Sequence, residues 1–211
     1  TRDRCGPTPV GLKVISVQRI EDRKLWATYT TAKHAIQRKR GGNVGQIAGV
    51  KTLMSDSGSR FSGADLDGTV NELYLMHGTS PEGALGISND GFRMDLSGSN
   101  AGNMFGPGAY FAECCSKSDE YAKQGTGIYI GTYAMLLCRV TCGEMFRMLA
   151  RDDEKVNEAM HCGQYDAVLG DREASVRTYR EFVVFRQRQI YPEYVVLYKR
   201  VLPDESSSDD G

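Results

Sequence analysis

Three observations predict an α+β fold. Period-2 apolar runs that read as strands crowd the second half of the chain, over 134–141, 165–169, 180–186 and 193–201. Few helical stretches lie between them, whereas a doubly wound sheet alternates strand and helix throughout. A length of 211 residues suits one domain with tails. The expected division is a linker over 1–9, a single domain over 10–202, and a disordered acidic tail over 203–211, "PDESSSDDG".

Taken in order, residues 10–20 alternate as a first strand. Residues 21–40 read as a helix with Leu25, Tyr29, Ala32 and Ile36 on one stripe and Trp26 beside it. Its last turn, "QRKR", precedes Gly41 and Gly42. Cations complement the negative helix end and glycine suits the stop. A solvated helix end is the favoured reading there, with a nucleic-acid patch as the alternative. Residues 41–70 are rich in Gly, Ser and Asp and read as a surface loop. Residues 72–77 form a strand, and 81–88 a short helix with Pro81 in its first turn and Ser80 as cap. A glycine- and serine-rich loop follows over 95–105. Residues 116–123 read as a helix whose "SKSD" fits a capping box. Residues 144–163 mix helix and loop, and Pro192 leads into the final strand.

Composition narrows the function classes. The net charge of −1, with 40% hydrophobic and 25% charged residues, is ordinary for a globular protein. It offers no global case for nucleic acid or membrane, so an anionic ligand must be held by local donors. No apolar run approaches the roughly 20 residues of a membrane span. The start "TRDRCGPTP" has no apolar signal core and no Met, which reads as a domain cut from a longer, non-secreted chain. Six cysteines (Cys5, Cys114, Cys115, Cys138, Cys142, Cys162) form no CxxC pair. Cys138 and Cys142 on one strand would lie about 13 Å apart, too far to share a zinc. Reduced thiols in an intracellular protein, nuclear or cytoplasmic, are expected.

The familiar nucleotide motifs fail. There is no GxxxxGK[ST]. "GTGIYIG" at 125–131 has helix before it and strand after it, the reverse of a dinucleotide-binding turn. Two residues draw interest on their own. Glu181 alternates with Val183 and Phe185, so its carboxylate points where apolar groups point. A carboxylate held there is either functional or paired in a strand-end salt bridge, with Arg180 or Arg186 as partner. His77 ends an apolar strand and is either structural or functional.

"YLMHGT", then "GNMFGPGAYFAECCSKSDEYA", then "YREFVVFRQRQIYPEYVVLY" together resemble the catalytic domain of the poly(ADP-ribose) polymerases, the diphtheria-toxin-like ADP-ribosyltransferases. "VISVQRIEDRKLWATY" extends the likeness, which covers roughly 13–201. The family's His-Tyr-Glu triad falls on His77, Tyr110 and Glu181. The resemblance implies a split, mostly antiparallel pair of sheets with peripheral short helices and a cleft for NAD⁺ between them.

It further implies that Tyr110 and Tyr121 sandwich the cationic nicotinamide ring, an arrangement favoured by the ring quadrupole. Ser118, three residues from Tyr121 on a helix, would meet the carboxamide edge, and Gly78 would pair its backbone groups with that carboxamide. His77 would hold a hydroxyl of the adenine-side ribose. Glu181 would accept the hydroxyl next to the breaking bond and stabilise an oxocarbenium-like transition state. The loop over 95–101, with Gly98, Ser99 and Gly102 nearby, corresponds to the donor loop. Met104, Lys117 and Tyr179 match positions bordering the acceptor site. From the residues alone, Met104 fits core packing and Lys117 a solvated helix position equally well.

The implied activity is transfer of ADP-ribose from NAD⁺ to protein side chains, with polymer elongation permitted but not required. A catalytically silent NAD⁺- or ADP-ribose-binding module and an NAD⁺ glycohydrolase are the rivals. The stretch "AKQGTGIYIGTY" carries no Cys or His where some relatives bind zinc, so no metal is expected. After the first strand and helix, no stretch before His77 is long or helical enough for the autoinhibitory domain of relatives switched by DNA breaks. Partners are therefore NAD⁺ and protein acceptors, without membrane or nucleic acid, and the oligomeric state is left open.

Overall fold

The computed structural model describes residues 6–53, 66–96 and 103–203. The first five linker residues, the acidic tail from 204 on, part of the 41–70 loop and the 97–102 part of the donor loop lie outside the described residues.

Two four-stranded sheets pack face to face. The first has the order β1-β8-β4-β2, with β1 at Gly11–Arg19, β2 at Glu72–Thr79, β4 at Tyr133–Thr141 and β8 at Ile190–Val201. The second has the order β3-β7-β6-β5, with β3 at Ala109–Phe111, β5 at Met145–Met148, β6 at Ala167–Gly170 and β7 at Glu181–Val184. Every pairing is antiparallel except β5 with β6. The expected split α+β architecture is therefore present, with five helices around it among the described residues.

The core between the sheets follows from strand alternation. Leu73 and Leu75 of β2 and Leu136, Cys138 and Val140 of β4 meet Phe111, Leu169, Phe182 and Val184 of the second sheet. On the outer face of the second sheet, Val168 and Val183 pack with Phe105, Met148 and Val156 of α4 (Asp153–His161). Val183 lies opposite Tyr110 in the β3–β7 register, so Tyr110 shares that face.

Helix α1 (Arg23–Arg40) begins at Asp22, whose side chain accepts from the Leu25 N–H, and ends at Gly41 with φ of 62°. Tyr29, Ala32 and Ile36 are its buried residues, as the stripe predicts, while Trp26 stays exposed. Its terminal cations are not a loose patch: Lys39 and Arg40 bind Asp166 at 2.9 and 2.7 Å. Helix α2 (Pro81–Asp90) is capped by Ser80, as expected.

Several expectations need correction. The helix expected over 116–123 is α3 at Cys115–Asp119, with Cys114 at its N-cap and no side-chain cap bond. Ser116 lies inside it and donates to the Tyr179 hydroxyl at 3.1 Å, so the capping box does not form. The 144–163 stretch contains a strand, β5, before α4. Neither β3 nor α5 (Arg172–Val176) was expected, since three- and five-residue elements are too short to show a period. Pro192 sits within β8 rather than at its entry. It is opposite Cys138 where the β4–β8 register shifts, a position where a missing N–H breaks no regular rung. Cys142 falls just beyond β4, and both it and Cys138 are buried free thiols.

One buried ion pair anchors the start of β7. The Arg180 guanidinium donates to both Glu113 oxygens, at 2.7 Å each, and to the Ala48 and Gly49 carbonyls at 2.9 and 2.8 Å. Glu113 also accepts the Lys51 N–H at 2.7 Å. Removing one partner of such a pair leaves an uncompensated buried charge. Arg180→Met should therefore lower unfolding stability by about 3–5 kcal/mol in urea titrations. A loss below about 1 kcal/mol, the scale of an exposed pair, would show that the pair is not structural.

Candidate active site

The site begins where the two sheets part. Met76 of β2 exchanges both backbone hydrogen bonds with Ala112, at 2.8 and 2.9 Å, joining the edges of the two sheets by one bridge. In an antiparallel strand, residues two apart present N–H and C=O to the same side. Gly78 thus offers its pair where Met76 does, but there the strands have splayed. The adjoining residue closes the gap with a side chain: His77 Nδ1 lies 2.8 Å from the Tyr110 carbonyl. A carbonyl only accepts, so Nδ1 carries the proton and Nε2 keeps its lone pair. Burial holds this imidazole below its ordinary pKa of 6.5, and the Phe92 ring meets it edge-on at 5.0 Å. His77 is therefore neutral with an acceptor to offer.

Gly78 has a second constraint. A Cβ at this position would collide with the Ser118 carbonyl, so α3 can press on β2 only over a glycine. Three consecutive side chains fasten α3. Ser118 Oγ donates to the Met76 carbonyl at 2.9 Å. Asp119, fully buried, accepts from Tyr198 and Arg200 of β8 at 2.7 and 2.9 Å. Lys117 reaches across to the second sheet. Its ammonium lies 3.0 Å from Glu181 Oε1 and 3.1 Å from Glu120 Oε2, with both carboxylate side chains under 5% exposed.

Tyr121 completes this cluster. Its hydroxyl accepts from Lys117 at 3.2 Å and donates to Glu181 Oε1 at 3.1 Å. The Lys117 ammonium stands 4.8 Å from its ring centre. Burial, followed by the neighbouring Glu181 charge, pushes the Tyr121 phenol up to about 12. Arg172 approaches Glu181 Oε1 at 3.9 Å. Each of these approaches is to the same oxygen of Glu181, Oε1. Tyr110 is pinned separately. Its hydroxyl accepts the Phe105 N–H at 2.8 Å and donates to the Gly106 carbonyl at 2.9 Å, and burial raises its pKa well above 10.

His77, Gly78, Tyr110, Ser118, Tyr121 and Glu181 all line one cleft of about 840 Å³, within the size range of small-molecule and cofactor sites. Residues expected to act together from positions 77 to 181 are thus brought together. Glu181 is a buried member of an ion pair, but its partner is Lys117; Arg180 is committed to Glu113. Lys117 is not a solvated helix residue, being 1% exposed. Met104 packs beside the Phe105 cluster. Sequence reasoning missed Glu120 and Arg172. The three-residue spacing of Lys117 and Glu120 was a readable signal for the first. Nothing local announces Arg172, which arrives through an unforeseen short helix.

Comparison with known proteins identifies the family. The family model for the poly(ADP-ribose) polymerase catalytic domain matches residues 1–174. Protein mono-ADP-ribosyltransferase PARP12 of Homo sapiens is 29% identical over 188 residues, covering 88% of this chain and 22% of that protein. Poly [ADP-ribose] polymerase 2 of Arabidopsis thaliana is 31% identical over 153 residues, covering 70% of this chain and 22% of that protein. Protein mono-ADP-ribosyltransferase PARP11 of Mus musculus is 28% identical over 207 residues, covering 87% and 52% respectively. The chain thus spans only part of the length of these relatives. The family match covers well over half of the chain, which belongs to the poly(ADP-ribose) polymerase catalytic domain family.

Proposed function

We propose that this domain is an NAD⁺-dependent ADP-ribosyltransferase: it cleaves the bond between ribose and nicotinamide and passes ADP-ribose to protein side chains. The observation that carries the reading is that Gly78, Tyr110, Tyr121 and Glu181 line one cleft.

Each group has chemistry to match. The Gly78 N–H and C=O, directed into the split, suit the oxygen and nitrogen of a primary carboxamide. Ser118 Oγ has its proton on the Met76 carbonyl, so its lone pairs accept from the amide nitrogen. Tyr110 and Tyr121 offer π faces to a cationic pyridine. His77 Nε2 accepts a ribose hydroxyl and sets the orientation of the dinucleotide.

Glu181 Oε2 accepts the hydroxyl beside the breaking bond, and its charge favours the oxocarbenium-like transition state. Lys117, Tyr121 and Arg172, all on Oε1, hold the carboxylate in place before substrate enters. NAD⁺ serves here as the sugar donor, and the expected protein acceptors would approach from the side bordered by Met104 and Tyr179. The names of the human PARP12 and mouse PARP11 relatives support addition of single units.

Incubation with labelled NAD⁺ tests the reading. Label on discrete protein bands indicates single units and ladders indicate chains; free ADP-ribose alone would replace transfer with hydrolysis. Glu181→Gln should bind NAD⁺ with nearly native affinity and lower kcat by about 10²–10³-fold. Full turnover in that variant would remove Glu181 from the chemistry.

The same variant isolates the role of His77. Its neutral form, present above the lowered pKa, offers the Nε2 acceptor, and protonation removes it. NAD⁺ affinity, followed by calorimetry in Glu181→Gln, should be flat above about pH 6.5 and weaken as pH falls through the His77 midpoint. His77→Gln should lose that acid limb. Tighter binding on acidification would contradict the assignment.

A further inference from the structure

Glu120 lines the cleft and is buried against Lys117, yet the proposed chemistry gives it no task. The ammonium of Lys117 is at nearly equal distances from two carboxylates, 3.1 Å from Glu120 and 3.0 Å from Glu181. It also stands over the ring of Tyr121, the side chain that receives a cationic pyridine in the reading above. A cation already near that ring repels a second, and the repulsion is strong where water is excluded. Among the described residues, Lys117 and Arg172 are the cations that approach Glu181, at 3.0 and 3.9 Å, and Glu120 is the second carboxylate on Lys117.

We infer that Glu120 is a positioning residue: it draws the Lys117 ammonium partly off Glu181 and cancels its charge toward the substrate. Without it, two cations face a single carboxylate. Glu181 would then be neutralised by its own neighbours, and positive charge developing on the sugar would meet a net positive cluster. With it, the cluster balances, and Glu181 retains a charge for Oε2 to direct at the sugar. The inference rests on the proposed NAD⁺ chemistry and assigns the control of Glu181 to a residue outside the triad.

The sign of the effect depends on Lys117, which makes a double-mutant cycle decisive. In the wild-type background, Glu120→Gln should lower kcat/KM for NAD⁺ by about tenfold, while Glu120→Asp keeps most of the activity. In a Lys117→Met background the same Glu120→Gln change should raise kcat/KM, because it removes one of two buried carboxylates left without their shared cation. Equal losses in both backgrounds, or no change in either, would overturn the inference. Thermal unfolding of the same four proteins should show the rescue of Lys117→Met by Glu120→Gln even if NAD⁺ were not turned over. Absent wild-type turnover with that thermal rescue would sink the proposed activity alone; absent rescue would sink the role of Glu120.

Discussion

The ion pair between Lys117 and Glu181 is the contact on which the site depends. It joins a short helix lying on the first sheet to a strand of the second, across the line where the sheets separate. Burying an ammonium costs several kcal/mol unless partners replace its water, and Lys117 gains them only when α3 and β7 are both in place. Helix α3 has five residues and no side-chain cap, so its own hydrogen bonds cannot hold it. Asp119 ties it to Tyr198 and Arg200, Ser118 ties it to Met76, and Lys117 sets its distance from Glu181.

The cleft itself arises from an incomplete ladder. Two edge strands begin to pair at Met76 and Ala112 and then diverge, leaving a glycine backbone with polar groups and no strand to receive them. Elsewhere a buried N–H without a partner would be a defect. Beside a cleft lined by two tyrosines it suits the carboxamide contact proposed for Gly78, and the bond from His77 to the Tyr110 carbonyl fixes how far the strands move apart.

Much of this was legible before any coordinates. Strands β1, β2, β4 and β8 are long enough to display alternation, and α1 shows its buried stripe at Tyr29, Ala32 and Ile36. The candidate site residues are legible through the resemblance of three segments, around His77, from Met104 to Tyr121 and around Glu181, to a known family, since periodicity alone leaves His77 and Glu181 open. Two kinds of feature stayed hidden. Short elements such as β3 and α5 owe their form to tertiary pairing rather than to local pattern. Charge partners were hidden as well: Arg180, adjacent to Glu181, was a natural candidate, yet neighbours on a strand face opposite ways and the true partner lies 64 positions upstream, at Lys117 (181 − 117).

That alternation gives the Arg180–Glu113 pair a consequence for the neighbouring carboxylate. Arg180 is clamped to Glu113 at the start of β7 while Glu181, one peptide on, faces Lys117. Displacing Glu181 through its backbone strains a dry, doubly bonded grip on its neighbour that also secures Ala48, Gly49 and Lys51. The role proposed for Glu181 is thereby tied to the integrity of the segment around Ala48, Gly49 and Lys51.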